Sequence, residues 1–547
     1  MKSLITATAC ALAALAGTFS SAHAGERAKY DIVIRNGRVL DGAGNPWVRA
    51  DVAVRGGRIV AVGVVPQKGK TEIDAAGRFV SPGWIDSMDQ SGDVLRRQGL
   101  AANKLLMGVT TVIAGEGGTP VPAAEISRYF ASLEKQGIGV NFATYYSATQ
   151  ARVEVIGDSA RAPSADELTD MKTRIDTAMR AGALGISTAL IYPPGAYQST
   201  EELIELAKAA APYGAIYATH MRDEGVRLGD AISEAIEIGE KGGVKVEIFH
   251  LKAAYKPMWG ALMEEAGALI DAARARGLDI AADLYPYTAG GTGLEIALPL
   301  EVFADGLDAA IEKLKGKEYR ADLIKRIENE EFGEWSRINL VVASGGWDGV
   351  VLANAFKPPY QQYQYRSIAD IAAELNVNPY DLVIDIMLNA LPNRAFAFYH
   401  MIGEQDVRTA LQFPWTSIGT DAAAVEELGG VDDLGLPHPR SYGTFPRILA
   451  KYVRDEHVLT LEEAVRKMTS WPASRHGFED RGVIREGLWA DIVVFDADKV
   501  QDNATWENGT ATPTGIDYVL VNGVLAVREG ALTGAKAGRV LRGAGAQ

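Results

Sequence analysis

Apolar residues in the middle of the chain come in short β-branched runs that alternate with stretches of helical periodicity. Eight runs are long enough for buried strands, at residues 79–88, 110–116, 140–147, 184–192, 216–221, 244–252, 279–287 and 415–421. Helical patterns lie between them, for example at residues 165–181, 200–211 and 228–241. Strands that alternate with crossover helices form parallel sheets, and eight such units close into a barrel. The middle of the chain is therefore predicted to be an α/β fold, a (β/α)8 TIM barrel.

The two ends of the chain show a different pattern, in which short alternating strands are joined by tight turns. An Asn-Gly pair interrupts residues 30–40, and a Gly-Gly pair interrupts residues 52–62. Near the C-terminus, residues 490–496 and 518–523 repeat the alternation. Such pairs between alternating segments are typical of β-hairpins. Both chain ends are therefore predicted to form one small β-sandwich domain together.

These patterns divide the chain into consecutive units. They are a signal peptide at 1–24, the N-terminal part of the small β domain at 25–80, the barrel at 81–430 with an insertion at 293–410, barrel-associated helices at 431–480, and the C-terminal part of the small β domain at 481–547. Part of the insertion, residues 305–334, is charged and helix-prone. Extra length at the strand-end face of a barrel usually forms a lid or a specificity element. We therefore expect the insertion to cover that face.

The N-terminus has the features of an export signal. Lys2 precedes an apolar run at residues 4–19, and Ala22-His23-Ala24 fits a cleavage site. The run is short and alanine-rich, which disfavours a membrane span. Cys10, the only cysteine, lies inside this segment, so the mature protein would have neither a disulfide nor a thiolate ligand. We expect a periplasmic or secreted protein with no membrane anchor after cleavage.

Composition and charge limit the partners that the protein can have. The chain of 547 residues is 47% hydrophobic, which is ordinary for a globular protein with a large core. A formal net charge of −15 excludes nucleic acid as an expected partner, because phosphate binding needs a basic face. The expected partner is a small molecule, and self-association into a homo-oligomer is left open.

Polar residues follow several of the predicted strands. Glu116 ends the second strand, His220 the fifth, His250 the sixth and Asp421 the eighth. Chemistry in TIM barrels takes place at this rim, and one carboxylate with two imidazoles leaves an open position for water, as catalytic zinc requires. Each residue also has a structural interpretation, such as a hydrogen-bonded histidine, a solvated turn glutamate or a helix N-cap aspartate. The shared placement of all four favours a metal site that activates water.

Several motifs resemble those of the amidohydrolase superfamily, and within it those of the D-aminoacylase (N-acyl-D-amino-acid deacylase) branch. Residues 31–39 and 487–495 are similar to the small β domain of the superfamily. The segments similar to the deacylase branch are Gly108-Val109-Thr110-Thr111, Thr219-His220-Met221-Arg222-Asp223-Glu224, His250-Leu251-Lys252, Tyr285-Pro286-Tyr287, Gly419-Thr420-Asp421 and residues 438–447. The resemblance covers essentially the whole chain after the proposed signal.

The resemblance implies roles for the residues at the rim. His220 and His250 would bind the more buried metal, and Glu116 stands where D-aminoacylases place a bridging cysteine. Asp421 matches the strand-eight aspartate that takes a proton from the attacking water and passes it to the leaving amine.

The resemblance also implies a substrate-binding group. Lys252, Tyr285 and Arg440 match residues that hold the carboxylate and the carbonyl of the substrate, and Tyr287 is assigned to the same group. Tyr285 could stabilise the oxyanion as a catalytic residue, and Arg440 with Lys252 could bind the carboxylate by charge-assisted hydrogen bonds.

One motif departs from the family pattern. The first strand should end in His-x-His, but Met88 and Gln90 occupy the two histidine positions. Neither is a good ligand for a hard or borderline cation. Some deacetylases of the superfamily also lack this pair and work with one metal held by Glu, His and His. We therefore expect one Zn²⁺ per chain, with another divalent metal as an alternative.

The leading hypothesis is a metal-dependent hydrolase that cleaves the amide bond of an N-acyl amino acid, in particular an N-acyl-D-amino acid, or of a small peptide. A second enzymatic hypothesis is a cyclic amide hydrolase of the same superfamily. A non-enzymatic hypothesis is a periplasmic ligand-binding protein without activity, which the missing histidine pair motivates.

Overall fold

A computed structural model describes residues 28–333, 335–431 and 435–547, without the side chains of residues 337 and 338. The predicted signal peptide at 1–24 lies outside the described residues. Among the helices of the described part, none combines the length and the apolar character needed to cross a bilayer.

Eight parallel strands form the central barrel, as predicted. In chain order they are Trp84–Asp89, Val109–Ala114, Asn141–Thr144 continued by Tyr146–Ser147, Gly185–Ala189, Ile216–His220, Lys245–Ile248, Ile280–Leu284 and Thr416–Ile418. The barrel closes between its first and eighth strands, where Asp89 bridges Ala422 and the amides of Thr420 and Asp421 donate to the carbonyl of Met88. The (β/α)8 prediction is therefore confirmed.

Several barrel strands are shorter than the sequence pattern predicts. The sixth was expected to reach residue 252 and the eighth residue 421, but they end at Ile248 and Ile418. The chain bends there, because His250 and Asp421 adopt positive φ angles of 36° and 48°. The apolar pattern continues through these bends because the residues remain buried at the rim.

Helices fill the crossovers and surround the barrel. They are Gly92–Arg97, Ala102–Leu106, Ile126–Gln136, Ala148–Ile156, Ala165–Ala181, Thr200–Ala210, Leu228–Gly242, Leu262–Ala275, Glu404–Gln412, Arg440–Arg447, Leu461–Met468 and Ser470–Arg475, with a π-helical segment at Ile448–Asp455. The helix predicted at 165–181 has two local features that make its position clear in the sequence. A capping box of Ser164 and Glu167 starts it, and Met171, Ile175 and Ala178 lie on its buried face.

The small β-sandwich domain is formed by both chain ends, as predicted, and its nine strands are joined in one sheet. They are Tyr30–Val39, Val48–Arg55, Arg58–Gly63, Gly69–Asp74, Phe79–Pro82, Ile492–Phe495, Ile516–Val521, Val524–Arg528 and Ala531–Leu532. The two ends meet where Phe79–Pro82 pairs antiparallel with Ile492–Phe495. Alternate residues such as Val52, Val54 and Val494 are fully buried on one face, which fixes the register.

Two segments differ from the predicted division of the chain. Residues 79–88 were predicted to be one barrel strand, but they form two strands separated by Gly83, where a Cβ would collide with the side chain of Thr110. The last residues were assigned to the small domain, but they return to the barrel. The amide of Phe142 donates to the carbonyl of Arg539 at 2.8 Å, and that of Gln547 to Arg180 at 3.1 Å.

The segment between the seventh and eighth strands folds as a small α/β layer. Its antiparallel strands are Gly290–Gly293, Phe396–Tyr399 and Val350–Asn354, and its helices are Leu307–Leu314, Lys317–Glu328, Trp335–Ile338, Leu340–Ala343, Ile368–Leu375 and Pro379–Ala390. The helix Glu404–Gln412 belongs to the barrel instead, where it packs on Leu262–Ala275. The Arg394 guanidinium of this segment lies 5.6 Å from the centre of the Tyr192 ring, and that ring packs against His220. This part of the segment therefore lies near the strand ends.

A buried ammonium lies at the closure of the barrel. Lys104 Nζ is 2.9 Å from Asp86 Oδ2, 2.7 Å from Asp89 Oδ2, and 2.7 Å from both Thr420 Oγ1 and the Ala422 carbonyl. All three charged side chains are 0% exposed. Burial lowers the pKa of Lys104, but the two carboxylates outweigh it and raise that pKa above its usual value. The first and eighth strands are therefore joined by a charged contact.

We expect Lys104→Met to lower the free energy of unfolding by about 3–5 kcal/mol, because two buried carboxylates would lose their cation. Chemical denaturation followed by circular dichroism measures this loss. Lys315→Met is the control, because Lys315 is exposed and pairs with Glu312 of its own turn. A loss in Lys104→Met no larger than in the control would show that closure does not depend on the ammonium.

Candidate metal centre

Three predicted ligands meet at the C-terminal rim of the barrel. Glu116, His220 and His250 each offer one ligand atom, and these atoms lie within 4.8 Å of one another. Glu116 Oε1 is 2.8 Å from His220 Nδ1 and 3.2 Å from His250 Nε2. The two imidazole rings are perpendicular, with centroids 4.5 Å apart. In the described part of the chain, no other group of this size has donors so arranged.

The spacing and chemistry of this triad fit a divalent cation. Tetrahedral zinc with bonds of about 2.0–2.1 Å places neighbouring ligand atoms roughly 3.3 Å apart. The observed distances of 2.8 and 3.2 Å need only a small outward movement to reach that value. Two imidazoles and one carboxylate are also a donor set that zinc binds with a position left open.

The charges around the triad are set by burial and by close partners. Burial would raise the pKa of Glu116, but hydrogen bonds from His220 and His250 outweigh it and hold that pKa well below its usual value. Burial and Lys252 would lower the pKa of His250, but Glu224, Asp421 and Glu116 raise it to about 10. The carboxylate is therefore ionised, and a cation bound here would compete with a proton for the His250 ring.

Backbone strain is concentrated at two residues of the site. His250 and Asp421 both lie in the left-handed region, which costs a non-glycine residue roughly 1–3 kcal/mol. The amide of His250 donates to Asp283 Oδ1 at 2.8 Å, and that of Asp421 to the carbonyl of Met88 at 2.9 Å. Asp283 is an acidic residue inside the apolar strand Ile280–Leu284, and this is the sequence signal for such a role.

Lys252 lies beside the metal ligand His250 and is paired with an acidic residue. Its Nζ donates to Glu224 Oε1 at 2.6 Å and lies 2.6 Å from His250 Nδ1. Both Lys252 and Glu224 are buried, so the ammonium is held next to the ligand by this pair. Sequence reasoning gave Glu224 no role, although it is four residues after His220 within a quoted motif. The pair holds His250 from the side opposite Glu116.

Asp421, Arg440 and Tyr285 lie together beside the triad. Arg440 Nη1 donates to Asp421 Oδ2 at 2.6 Å, and the Arg440 guanidinium lies 4.8 Å from the centre of the Tyr285 ring. The Tyr285 ring centroid is 6.3 Å from that of His250. The structure therefore brings these three predicted residues to the candidate site.

His438 positions Arg440. Its Nδ1 accepts the backbone N–H of Arg440 at 3.1 Å, so its Nε2 carries the hydrogen and donates to the Ala289 carbonyl at 3.0 Å. Burial and the charge of Arg440 hold the pKa of His438 well below its usual value. The neutral ring therefore links the arginine to the segment that follows the seventh strand.

The hydroxyl and the ring of Tyr287 contact the segment that carries Arg440. Its hydroxyl donates to the Pro439 carbonyl at 3.3 Å. Its ring packs against His438 and Trp506, with centroid distances of 5.5 and 6.1 Å. Tyr287 supports the start of the helix that carries Arg440.

The two residues in the expected histidine positions have different surroundings. Met88 is 1% exposed and packs with Ile85, Ile113 and Phe249 in the interior of the barrel. Gln90 is half-buried at the rim, where its Nε2 donates to Glu116 Oε2 at 2.5 Å. Met88 therefore belongs to the core below the site, whereas Gln90 belongs to the site.

Comparison with known sequences gives close, full-length similarity. A model described as the amidohydrolase family matches residues 398–527. D-Aminoacylase of Alcaligenes xylosoxydans xylosoxydans is 34% identical over 534 residues, which cover 94% of this chain and 97% of that protein. N-Acyl-D-glutamate deacylase of the same organism is also 34% identical, over 537 residues and with the same coverage.

Comparison with solved structures agrees. A D-aminoacylase crystal structure aligns with a TM-score of 0.78 at 34% identity, covering 94% of this chain and 100% of that one. N-Acyl-D-glutamate deacylase of Bordetella bronchiseptica, solved with zinc and a phosphonate mimic of the tetrahedral intermediate, gives 0.77 at 31% identity with the same coverage. L-Hydantoinase of Arthrobacter aurescens gives 0.56 at 16% identity over 94% and 100% of the two chains, which shows a common fold.

We expect the purified protein to retain one equivalent of zinc per chain after dialysis, and His220→Ala to retain less than about a tenth of that, because two ligands rarely hold zinc tightly. Elemental analysis gives both values. His457→Ala is the matched control, since His457 is exposed and its Nδ1 contacts the Val453 carbonyl of the preceding turn. Zinc retained equally by His220→Ala would place the metal elsewhere.

Proposed function

Because the chain belongs to the amidohydrolase family, within the group that contains D-aminoacylase and N-acyl-D-glutamate deacylase, we propose that it hydrolyses the amide bond of an N-acyl-D-amino acid. The observation that carries this proposal is the ligand triad with a carboxylate base beside it. Gln90 Nε2 contacts both Glu116 and Asp421, at 2.5 and 3.4 Å, so the base lies next to the triad.

A zinc ion held by Glu116, His220 and His250 would supply a Lewis acid that acidifies water and polarises the amide carbonyl. Asp421 is placed to act as the base, since its side chain is 14% exposed at the rim. It takes a proton from the attacking water and delivers it to the leaving nitrogen. The C–N bond breaks, the water oxygen remains in the released carboxylic acid, and the amino acid leaves as the amine.

Tyr285 and Arg440 are placed to bind the reacting part of the substrate. Burial raises the pKa of Tyr285 well above its usual value, against the opposing effect of Arg440, so the phenol keeps its hydrogen. It can therefore donate to the oxygen on which negative charge develops. Arg440 can bind the α-carboxylate of an N-acyl amino acid, which makes a carboxylate-bearing small molecule the expected substrate.

A substrate screen tests this function directly. We expect zinc-loaded protein to release free amine from N-acyl-D-amino acids faster than from their L enantiomers or from hydantoins, as measured with an amine-reactive dye. Faster opening of a hydantoin would support the cyclic amide hydrolase instead. Release from none of them, with tight binding of N-acyl amino acids, would support a non-catalytic binding protein.

We also propose that the protein is exported to the periplasm or secreted. The apolar run at 4–19 followed by Ala22-His23-Ala24 supports this. N-terminal sequencing of the protein from its host is expected to begin at Gly25. A start at Met1 or Lys2 would contradict export by this signal.

We expect Asp421→Asn to lower kcat by about 10²–10⁴-fold, the usual effect of removing a positioned base. Zinc content is expected to stay at one equivalent, because Asp421 is outside the triad. Asp498→Asn, an exposed residue of the small domain, is expected to behave as wild type. Turnover of Asp421→Asn near the wild-type value would remove Asp421 from the mechanism.

We expect Arg440→Ala to impair substrates that carry an α-carboxylate more than their α-amide analogues. Loss of one charge-assisted bond costs about 1.5–3 kcal/mol, or roughly 10- to 100-fold in kcat/KM. The ratio between the two substrates isolates this bond from the contact of Arg440 with Asp421. Equal losses for both substrates would mean that Arg440 acts through Asp421 alone.

A further inference from the structure

Gln90 places an amide group between two carboxylates at the centre of the site. Its Nε2 lies 2.5 Å from Glu116 Oε2 and 3.4 Å from Asp421 Oδ1. Carboxylate oxygens only accept hydrogen bonds, so the NH₂ group rather than the amide oxygen must face them. Gln90 therefore acts as a donor to both acidic groups of the site.

In each of the two carboxylates, one oxygen faces Gln90 and the other contacts different residues. Glu116 Oε1 faces His220 and His250, while Oε2 accepts from Gln90. Asp421 Oδ2 accepts from Arg440 at 2.6 Å, while Oδ1 faces Gln90. The space between Oε2 and Oδ1 is the place where a cation shared by the two carboxylates would lie. Gln90 Nε2 stands in that space.

The backbone holds Gln90 in this position. Its amide donates to the Ala422 carbonyl at 3.2 Å, and the preceding residue, Asp89, forms the bridge that closes the barrel. Gln90 and Asp421 are therefore fixed to each other across the closure. The short contact with Glu116 is the stronger of the two side-chain bonds, and the longer contact with Asp421 is the weaker.

Charge also disfavours a second cation here. The carboxylates of Glu116 and Asp421 are partly balanced by Arg440, so one divalent ion already leaves the site with a positive excess. The nearby Lys252 and Glu224 neutralise each other at 2.6 Å. A second divalent ion would add two more charges to a site that is largely buried.

We propose that the Gln90 carboxamide substitutes for a second metal ion, so that it limits the centre to one cation and holds Asp421 toward the triad. The first part concerns metal binding alone, and the second part rests on the proposed function. Gln90 is in this sense a positioning residue, since it acts through two carboxylates.

An isosteric substitution tests the first part. Gln90→Glu replaces the donor by a third carboxylate with the same shape, and three facing carboxylates favour a cation between them. Zinc titration by calorimetry, with elemental analysis after dialysis, is expected to give two equivalents per chain for Gln90→Glu and one for the wild type. Gln361→Glu, the same change at an exposed position of the insertion, is the control and is expected to bind one.

A neutral substitution tests the second part. Gln90→Met keeps the length of the side chain and removes both N–H donors. It is expected to lower kcat by about 10-fold with KM within about 2-fold, because Asp421 loses its orientation while the substrate-binding residues remain. A general loss of structure would change KM and zinc content as well. Unchanged kcat in Gln90→Met would overturn the positioning role.

The first part is overturned if Gln90→Glu folds, as judged by circular dichroism, and binds one zinc with wild-type affinity. If Gln90→Glu does not fold without metal, Gln90→His provides a second measurement, since it replaces the amide by a neutral ligand. Two equivalents are expected there, and one would again overturn the proposal. Metal counting needs no substrate, so these results stay interpretable even if the protein proves to have no deacylase activity.

Discussion

The buried ammonium of Lys104 determines where the two edges of the barrel sheet meet. It binds two aspartates of the first strand together with Thr420 and the carbonyl of Ala422 beyond the eighth. Asp421 lies between these last two residues, and Gln90 directly follows the first strand. A fully buried cation needs all of its partners, so few alternative registers of the closure are compatible with it. Asp421 and the Gln90 carboxamide are therefore positioned by the Lys104 contact, which takes no part in the proposed reaction.

The metal ligands are held in a comparable way by groups behind them. His250 contacts Glu116 through Nε2, and the Lys252–Glu224 pair through Nδ1, so its ring has little freedom to rotate. Its left-handed backbone is stabilised by the bond from its amide to Asp283. Such outer groups fix the orientation of a ligand before the cation arrives. The orientation of the metal ligand His250 is therefore set by residues that are not themselves metal ligands.

The sequence was sufficient to predict the barrel, the small domain and the convergence of Glu116, His220 and His250, because the ends of parallel strands meet on one rim. The sequence was not sufficient to predict which way side chains point where the chain leaves a strand. Tyr285 and Tyr287 lie in a turn, where strand alternation no longer says which side chain faces the site. Lys252 follows a residue with positive φ by two positions, and its partner comes from a different loop. The direction of a side chain after a bend depends on tertiary contacts, and a local sequence pattern does not contain them.

The small domain has a consequence for the order in which the protein can fold during synthesis. Arg58 donates to the carbonyl of Gly487, which is 429 residues further along the chain. The first five strands pair with one another, but they leave the ribosome long before the four C-terminal strands exist, and the outer edge of Phe79–Pro82 stays unpaired until Ile492–Phe495 has been made. Unpaired strand edges recruit other strands, so the nascent chain is exposed to aggregation until its last tenth has emerged. Completion of this domain is a late event, and chaperones that shield exposed strands would act on the N-terminal segment.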